Sequence, residues 1–418
     1  MSFESDFKTV ECQNYCVRVA DGTHDSPKEA TVGKRLVTSK NVKDGSLVLD
    51  SAYLISNEDF DSINKRSKVD QWDLLVTMIG TVGEVCLVTD HSPDFAIKNV
   101  GLLKCGDELR ARWLYYFLRS QHGQLLIEGR KKGSTQQYLS LTELRKLPIS
   151  FPESIQVMRN SIEGLIRIDD RITLLRETNA TLEAIAQALF KSWFLDFDPI
   201  RAKSEGKSPD GMDVDVAALF PDAFEETEYG MVPQGWSVGR LSDIAKLKGG
   251  KMLSKEHFSV DGEFPVYGGA GEMGRSNLSN AEGFVITVGR VGAYCGQYFW
   301  HSGQAWVNNN ASHVIPHNVN NSVWLYQWLR SVDMDLIKKG AAQPFVSNGD
   351  IENLQIILPS QSVIDEFVNV CELLFTRMTS VLASISTLVN LRDTLLPRLI
   401  SGQLRIADAE AELKEVTA

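Results

Sequence analysis

GSTQQYLS, at residues 133–140, returns as GAAQPFVS at residues 340–347, 207 positions later. Two further blocks recur in the same order: WLYYFLRS (113–120) returns as WLYQWLRS (324–331), and IGTVG (79–83) returns as VGRVG (288–292). Their offsets of 211 and 209 residues differ little from the first. Because chance similarities between short segments do not keep a fixed order, the chain is a tandem duplication of a unit of roughly 200 residues.

Each copy ends in a strand-like run bounded by proline, at residue 152 and at residue 359, and then becomes helical. Apolar residues follow in steps of three and four, from Ile155 to Trp193 in the first copy and from Ile364 to Leu399 in the second. This spacing is typical of a coiled-coil seam, and each run predicts a helix about 60 Å long. A single apolar stripe needs a partner, so we expect the two helices to pair, with Asn179 on the seam fixing their register.

The rest of the chain predicts an α+β protein with two mixed α/β domains. Glycine turns separate strand-like runs, and the two WLY blocks predict short helices. The predicted divisions are a first domain at 1–152, a helix at 153–200, a linker at 201–235, a second domain at 236–359, a helix at 360–404 and a tail at 405–418.

The net charge of −11 is unusual for a nucleic-acid-binding protein, but its distribution is informative. Residues 1–152 hold 20 basic and 20 acidic side chains, and residues 236–359 hold 10 of each. The acidic excess lies in the helices and the linker. Basic residues cluster in the predicted loops, and two clusters, at 130–132 and 338–339, directly precede the equivalent repeat blocks.

The six cysteines form no CxxC pair, so the sequence predicts neither a zinc site nor a disulfide framework. We expect no metal site. The N-terminus has no export signal, and no apolar run is expected to cross a bilayer, so a cytoplasmic location is predicted.

Enzymatic signatures are weak. GAGEMGRS (269–276) has the spacing of a phosphate-binding loop, but Arg275 stands where the essential lysine belongs. His24 and Asp25 lie in a Gly- and Pro-flanked segment that predicts a structural turn. We therefore expect no catalytic residues in this chain.

Five segments together resemble the specificity subunit of type I restriction-modification enzymes. They are DGTHDSP (21–27), VTMIGTVG (76–83), GSTQQYLSLTELRKLPISFP (133–152), AQALFKSWFLDFDPIRAK (186–203) and LRDTLLPRLISGQL (391–404). The chain departs from the family pattern in its second domain, where PVYGGAGEMG (265–274) replaces the DGTH-type opening.

The resemblance implies two target-recognition domains separated by two long antiparallel helices. Each domain would read one half of an asymmetric bipartite site in double-stranded DNA, and the helices would set the spacer. Catalysis would belong to partner subunits: two methyltransferase subunits that use S-adenosylmethionine, and restriction subunits that use ATP and Mg²⁺. No cofactor is expected in this chain itself.

Base readout needs polar or basic side chains on loops. In the first domain the candidates come from an early loop and from the repeat block: Lys34, Arg35, Thr38, Lys40, Asn41, Ser134, Thr135, Gln136 and Gln137. In the second domain they are Lys251, Tyr267, Arg275, Arg290, Asn309 and Gln343.

Aromatic residues crowd the end of the first long helix: Phe190, Trp193, Phe194 and Phe197. We expect them to form a partner-docking surface, with packing inside the helix pair as the alternative. Two other classes of function stay open, namely a two-domain protein scaffold that does not bind DNA and an enzyme with a cryptic nuclease or nucleotide site.

Overall fold

The computed structural model describes residues 7–43, 45–134, 136–292, 294–340 and 343–403. The chain forms two compact units, which are described separately. Unit 1 comprises residues 1–174 and 385–418, and unit 2 comprises residues 175–384.

Two 40-residue helices, α6 (Ile155–Phe194) and α11 (Gln361–Ile400), each contribute to both units. They are the two helices that the apolar periodicity predicts. They run antiparallel, since Asp169 of α6 contacts Arg392 of α11, whereas Asn179 contacts the earlier Met378. In unit 1 the buried stripe of α6 includes Ile162, Leu165 and Ile172, as the three-four spacing predicts.

The remaining elements of unit 1 are short. They are β1 (Phe7–Glu11), α1 (Cys12–Tyr15), β2 (Arg18–Asp21), β3 (Lys34–Val37), β4 (Val42–Lys43), β5 (Ser46–Leu47), β6 (Leu54–Ile55), α2 (Asn57–Ser67), β7 (Asp73–Thr77), β8 (Val85–Leu87), β9 (Phe95–Ile97), β10 (Val100–Lys104), α3 (Glu108–Arg119), α4 (Gln121–Glu128), α5 (Leu141–Arg145) and β11 (Pro148–Pro152).

Unit 2 adds eleven strands and four helices in its described part. They are α7 (Asp198–Ser204), α8 (Val214–Ala218), β12 (Phe224–Thr227), β13 (Gly230–Pro233), β14 (Ser237–Arg240), β15 (Ala245–Gly249), β16 (Phe264–Gly268), β17 (Gly271–Ser276), β18 (Phe284–Gly289), β19 (Tyr298–Ser302), β20 (Trp306–Val307), β21 (Ala311–Pro316), α9 (Ser322–Ser331), α10 (Asn348–Glu352) and β22 (Gln355–Leu358).

The two units have the same sheet topology. Antiparallel four-stranded sheets have the order β2-β10-β7-β8 in unit 1 and β15-β21-β18-β19 in unit 2. Three-stranded sheets, β6-β3-β9 and β17-β16-β20, each combine one antiparallel and one parallel pair. Two-stranded sheets, β1-β11 and β14-β22, join the beginning of each domain to its end. The tandem duplication is therefore a duplication of fold.

In each four-stranded sheet, one of the two inner strands, β7 in unit 1 and β18 in unit 2, is covered on both faces. Along β7, Leu74 and Val76 enter a core shared with α3 and α6, while Leu75 between them enters a second core. Strand β18 alternates in the same way, with Ile286 and Val288 in one core and Val285 in another. A strand buried on both faces is mostly apolar, which explains the runs LLV in β7 and FVI in β18.

The segment at 201–235, predicted as a linker, is folded. It contains α8 and the β12-β13 hairpin, and its Phe220 and Val232 are buried in the main core of unit 2. The apolar run at 47–54 would by its composition predict a strand, but it is mostly irregular, since only Leu47 and Leu54 belong to strands.

By length and composition, α11 could cross a membrane, contrary to the expectation that no segment could. Part of its apolar surface is nevertheless buried within the protein. Val363, Phe367 and Cys371 are fully buried in the core of unit 2, and Leu395 and Leu399 are buried in the core of unit 1.

A candidate nucleic-acid interface

Four polypeptide segments meet at one end of the large sheet of each unit, which we call the loop end. In unit 1 they are residues 21–27, 78–84, 98–99 and 132–139, apart from the undescribed position 135. Asn99 N–H donates to the Thr23 carbonyl at 3.1 Å, and Leu139 N–H donates to the Met78 carbonyl at 2.8 Å. Because neighbouring antiparallel strands turn at the same end, these loops are gathered by topology alone.

The loop end of unit 2 consists of residues 249–255, 290–296, 308–310 and 339–346, apart from the undescribed position 293 and positions 341–342. Val346 N–H donates to the Arg290 carbonyl at 3.0 Å, and Lys251 N–H donates to the Val307 carbonyl at 3.0 Å. These bonds match those of Leu139 with Met78 and of Thr23 with Ile97 in unit 1.

The matched bonds correct the sequence alignment of one repeat block. Ile79 bridges Tyr138, and Val291 bridges Phe345. The structural equivalent of Ile79 is therefore Val291, three residues beyond Val288, with which the sequence pairs it.

In unit 2 the structural counterpart of the DGTH segment is not PVYGG, with which the sequence pairs it. Asp21 pairs with Gly101 and Gly249 pairs with Ser312, so the turn at 21–24 corresponds to GGKM at 249–252. PVYGG instead lies mostly in β16, the counterpart of β3. A Cβ atom on Gly22 would lie 2.2 Å from the Ile97 oxygen, and one on Gly250 would lie 2.0 Å from the Asn308 oxygen. Both turns therefore require glycine at this position.

A polar cluster stabilises the turn in unit 1. The side chain of Asp21 is only 5% exposed, and its two oxygens contact His24 Nε2, at 3.0 Å, and the Arg66 guanidinium. His24 Nδ1 lies 2.8 Å from Asn99 Oδ1. This arrangement fits the predicted structural turn.

The predicted DNA-contacting residues in the early loop of unit 1 differ in how exposed their side chains are. Asn41 is buried: its Oδ1 accepts the Thr38 N–H at 2.8 Å, and its amide nitrogen donates to the Val48 carbonyl. Thr38 caps the same turn. These two side chains shape the loop, which counts against their prediction as base readers, whereas Lys40 is exposed.

Lys34 and Arg35 lie on β3 away from the loop end, and Lys34 Nζ is paired with Asp94 at 2.7 Å. Ser134, Gln136 and Gln137 are exposed at the loop end. Thr135 lies outside the described residues.

In unit 2 four of the predicted DNA-contacting residues lie together at the loop end, whereas Arg275 lies elsewhere. Lys251, Asn309 and Gln343 are exposed there, and Arg290 is half-buried. Arg275 lies on β17 and donates to the carbonyls of residues 262 and 263, at 2.7 and 2.6 Å, which is a structural role.

Tyr267 lies near the end of β16, beside the loop end, but its side chain is buried in a small core. Burial raises the pKa of its hydroxyl. Its prediction as a DNA contact is therefore not supported by its position.

The basic clusters before the repeat blocks have a structural use that the sequence analysis missed. Lys132 Nζ lies 2.9 Å from Glu143, and the equivalent Lys339 Nζ lies 2.7 Å from Asp350. Hydrogen bonding to these lysines lowers the pKa of both carboxyl groups. The acid follows the lysine by eleven residues in both copies, a spacing that could have been found in the sequence.

The aromatic residues at the end of α6 do not form an exposed surface, so their position does not support the predicted docking role. Phe190, Trp193, Phe194 and Phe197 are all at most 9% exposed. Phe194 packs against Phe367, with ring centroids 5.2 Å apart, and Trp193 packs against Phe220 at 5.0 Å. The alternative, packing inside the helix pair, describes the contact with Phe367 of α11, and the packing extends beyond the pair to the folded segment at 201–235.

Comparison with known proteins agrees with this duplicated architecture. The sequence pattern described as "Type I restriction modification DNA specificity domain" matches residues 33–184 and 233–369. The chain is 25% identical over 347 residues to the type I restriction enzyme HindI specificity subunit of Haemophilus influenzae, covering 68% of this chain and 74% of that protein. It is 24% identical over 325 residues to the MjaIX specificity subunit of Methanocaldococcus jannaschii, covering 72% of this chain and 71% of that protein.

A crystal structure of a type I restriction-modification S subunit from M. genitalium has a similar fold. Its TM-score is 0.51 at 18% identity, and the alignment covers 96% of this chain and 98% of that one. Because the two matched regions together span more than half of the sequence, the chain belongs to the family of type I restriction-modification DNA specificity proteins.

Proposed function

We propose that this protein is the DNA specificity subunit of a type I restriction-modification complex. Each unit reads one half of a bipartite DNA site through its loop end, and the antiparallel pair of α6 and α11 sets the spacer between the halves. The observation that carries the proposal is the pair of equal sheet topologies that present different side chains at equivalent loop positions.

The divergence of the loop ends supports an asymmetric target. At the equivalent turns, Asp21 of unit 1 corresponds to Gly249 of unit 2, and His24 corresponds to Met252. The repeat-block loops offer Gln136 and Gln137 in one unit and Gln343 and Pro344 in the other. Base readout depends on the identity of such side chains, so different loops should read different sequences.

The charge distribution supports dependence on partners. Both recognition regions carry equal numbers of basic and acidic residues, and several lysines are already paired within the protein. Non-specific affinity for DNA comes mainly from unpaired cations that displace counterions from phosphates. Alone, the subunit should therefore bind DNA weakly at physiological salt.

The chemistry is assigned to the partners. Methyltransferase subunits would supply the S-adenosylmethionine-dependent step, and restriction subunits would use ATP and Mg²⁺, with this chain as the non-catalytic component in the cytoplasm. Exposed apolar residues on the long helices within unit 2, such as Ile185 and Leu373, are better candidates for partner contacts than the buried aromatic residues.

The test is to express the chain with the methyltransferase subunit encoded beside it and to map the modified bases across a genome. We expect one asymmetric motif in two parts separated by a fixed unread spacer. A continuous motif, or modification that does not depend on this chain, would contradict the proposal. Binding of other proteins without any DNA dependence would favour the scaffold alternative.

A further inference from the structure

Met78 and Arg290 occupy equivalent positions at the loop ends of the two units. Each follows the central strand of its sheet and accepts a backbone hydrogen bond from the seventh residue of its repeat block, Leu139 or Val346. Their side chains differ completely. Met78 is 6% exposed and packs inside its unit, whereas Arg290 carries a cation at the same place.

The Arg290 side chain is partly buried but forms no ion pair among the described residues. It is half-buried, and its Nε is buried without a hydrogen-bond partner among the described residues. No salt bridge within the described part of the chain involves it. A buried donor without a partner costs free energy, so its presence in a native protein calls for an explanation, such as a functional role.

The backbone around Arg290 leaves room for its guanidinium at the surface. A Cβ on the exposed Gly249 would lie 3.5 Å from Arg290 Nη1, so the guanidinium lies beside a residue without a side chain. The equivalent position in unit 1 holds Asp21, whose carboxylate pairs with Arg66. Unit 2 thus lacks, at this position, the acid that would neutralise the arginine.

Other exposed cations at this end of unit 2 are of a different kind. Lys248 and Lys251 are exposed on long flexible side chains, which suit contacts with phosphates. Arg290 instead presents a planar fork from the end of an inner strand, and the burial of its Nε restricts the movement of that fork. A fixed fork matches the two acceptors, O6 and N7, that guanine shows in the major groove.

We infer that Arg290 reads a guanine in the half-site recognised by unit 2. The inference rests on the proposed function and names one contact within it. Met78 cannot make this contact, so unit 1 reads its half-site without an equivalent arginine.

The test is the modified motif of the complete complex with Arg290→Met, which installs the residue that the equivalent position of unit 1 tolerates. We expect one guanine in one half of the motif to become degenerate, with a loss of preference of about 5- to 150-fold. The other half and the spacer should not change. Arg290→Lys keeps the charge but loses the fork, so it should also relax that position.

Arg240→Met is the matched control, because Arg240 lies on β14 and donates to Asn353 away from the loop end. It should leave the motif intact. A uniformly weaker but unchanged motif in Arg290→Met, with Arg290→Lys close to wild type, would identify a phosphate contact and overturn the inference. An unchanged motif at full strength would overturn it as well. In both cases the wild-type bipartite motif would still stand, whereas failure of the proposed function would leave no such motif in the wild type.

Discussion

Asp169 of α6 accepts a hydrogen bond from Arg392 of α11, with Nη1 and Oδ1 3.0 Å apart. The second oxygen of the same carboxylate accepts the Tyr116 hydroxyl of α3 at 2.8 Å. One side chain therefore joins both long helices to the globular part of unit 1. The Arg392 side chain is 10% exposed, so it depends on this carboxylate more than a surface arginine would.

Asp169→Asn should destabilise unit 1, because it removes the charge that compensates a largely buried arginine. We expect a loss of about 2 kcal/mol, below the usual cost of breaking a fully buried pair since Asp169 is 23% exposed and Arg392 also contacts Asp393. The thermal midpoint should fall by about 4–8 °C. The control is Asp393→Asn, which removes a partner that is 57% exposed and should be nearly neutral. Equal effects of the two variants would show that Asp169 has no special role.

Asn179→Leu should raise the thermal midpoint of unit 2 while loosening the register of the helix pair. Asn179 Nδ2 donates to the Met378 carbonyl at 3.3 Å, but its Oδ1 is buried without a partner among the described residues. Removing that oxygen should gain about 1 kcal/mol, whereas the loss of the bond should admit modified sites with more than one spacer length. Motif mapping together with thermal unfolding measures both effects. A single unchanged spacer would show that Asn179 does not fix the register, and Thr181→Leu on the exposed side of α6 is the control.

Phe194→Ala should strongly destabilise unit 2, because Phe194 is a core residue and not a docking residue. Its ring packs against Phe190, Phe367, Trp236 and Trp324, with centroids 5.0–6.0 Å apart. We expect a cost of about 3–5 kcal/mol, seen as a large fall in the thermal midpoint. Its neighbour Leu195, which is 43% exposed, gives the control Leu195→Ala. Lost partner binding in Phe194→Ala at an unchanged thermal midpoint would instead restore the docking interpretation.

His313 should make unit 2 less stable in mild acid. Burial, assisted by Lys248, lowers the pKa of His313 to about 4, while an unfolded histidine titrates near 6.5. Between these two values the unfolded chain binds a proton that the folded chain excludes, so stability falls as the pH falls. The expected loss from pH 7 to about pH 5 is on the order of 1–2 kcal/mol.

The matched variant is His313→Leu, since the equivalent residue of unit 1 is Leu102. Thermal unfolding at the two pH values should show a smaller difference in the variant than in the wild type. An identical pH dependence would mean that His313 is not the group responsible.

The long helices could be predicted from the sequence because their signal is local. A three-four spacing of apolar residues needs no knowledge of the rest of the fold, and α6 and α11 both span the predicted runs. The register of the repeats was harder. The glycines of IGTVG and VGRVG coincide when Ile79 is paired with Val288, but the backbone bonds and bridges of the structure make Val291 the counterpart of Ile79.

The burial of the aromatic residues on α6 could not be predicted, because it depends on distant segments. Phe220 and Trp236, which contact Trp193 and Phe194, lie in and next to a stretch whose composition is typical of a linker. Among the site residues, Lys251, Asn309 and Gln343 lie on exposed loops as predicted, whereas Lys34, Arg35 and Arg275 lie on strands. The sequence could not tell Arg290, whose Nε has no hydrogen-bond partner among the described residues, from Arg275, which donates to backbone carbonyls.

The most direct test of the account is to exchange the second domain and map the modified motif. Ser237 pairs with Leu358 in the β14-β22 sheet, so the two ends of segment 237–358 are adjacent. The segment can therefore be replaced by the corresponding segment of another family member. We predict that one half of the motif will change to that of the donor, while the other half keeps its sequence. A motif that changes in both halves, or in neither, would contradict the claim that each unit reads its own half-site.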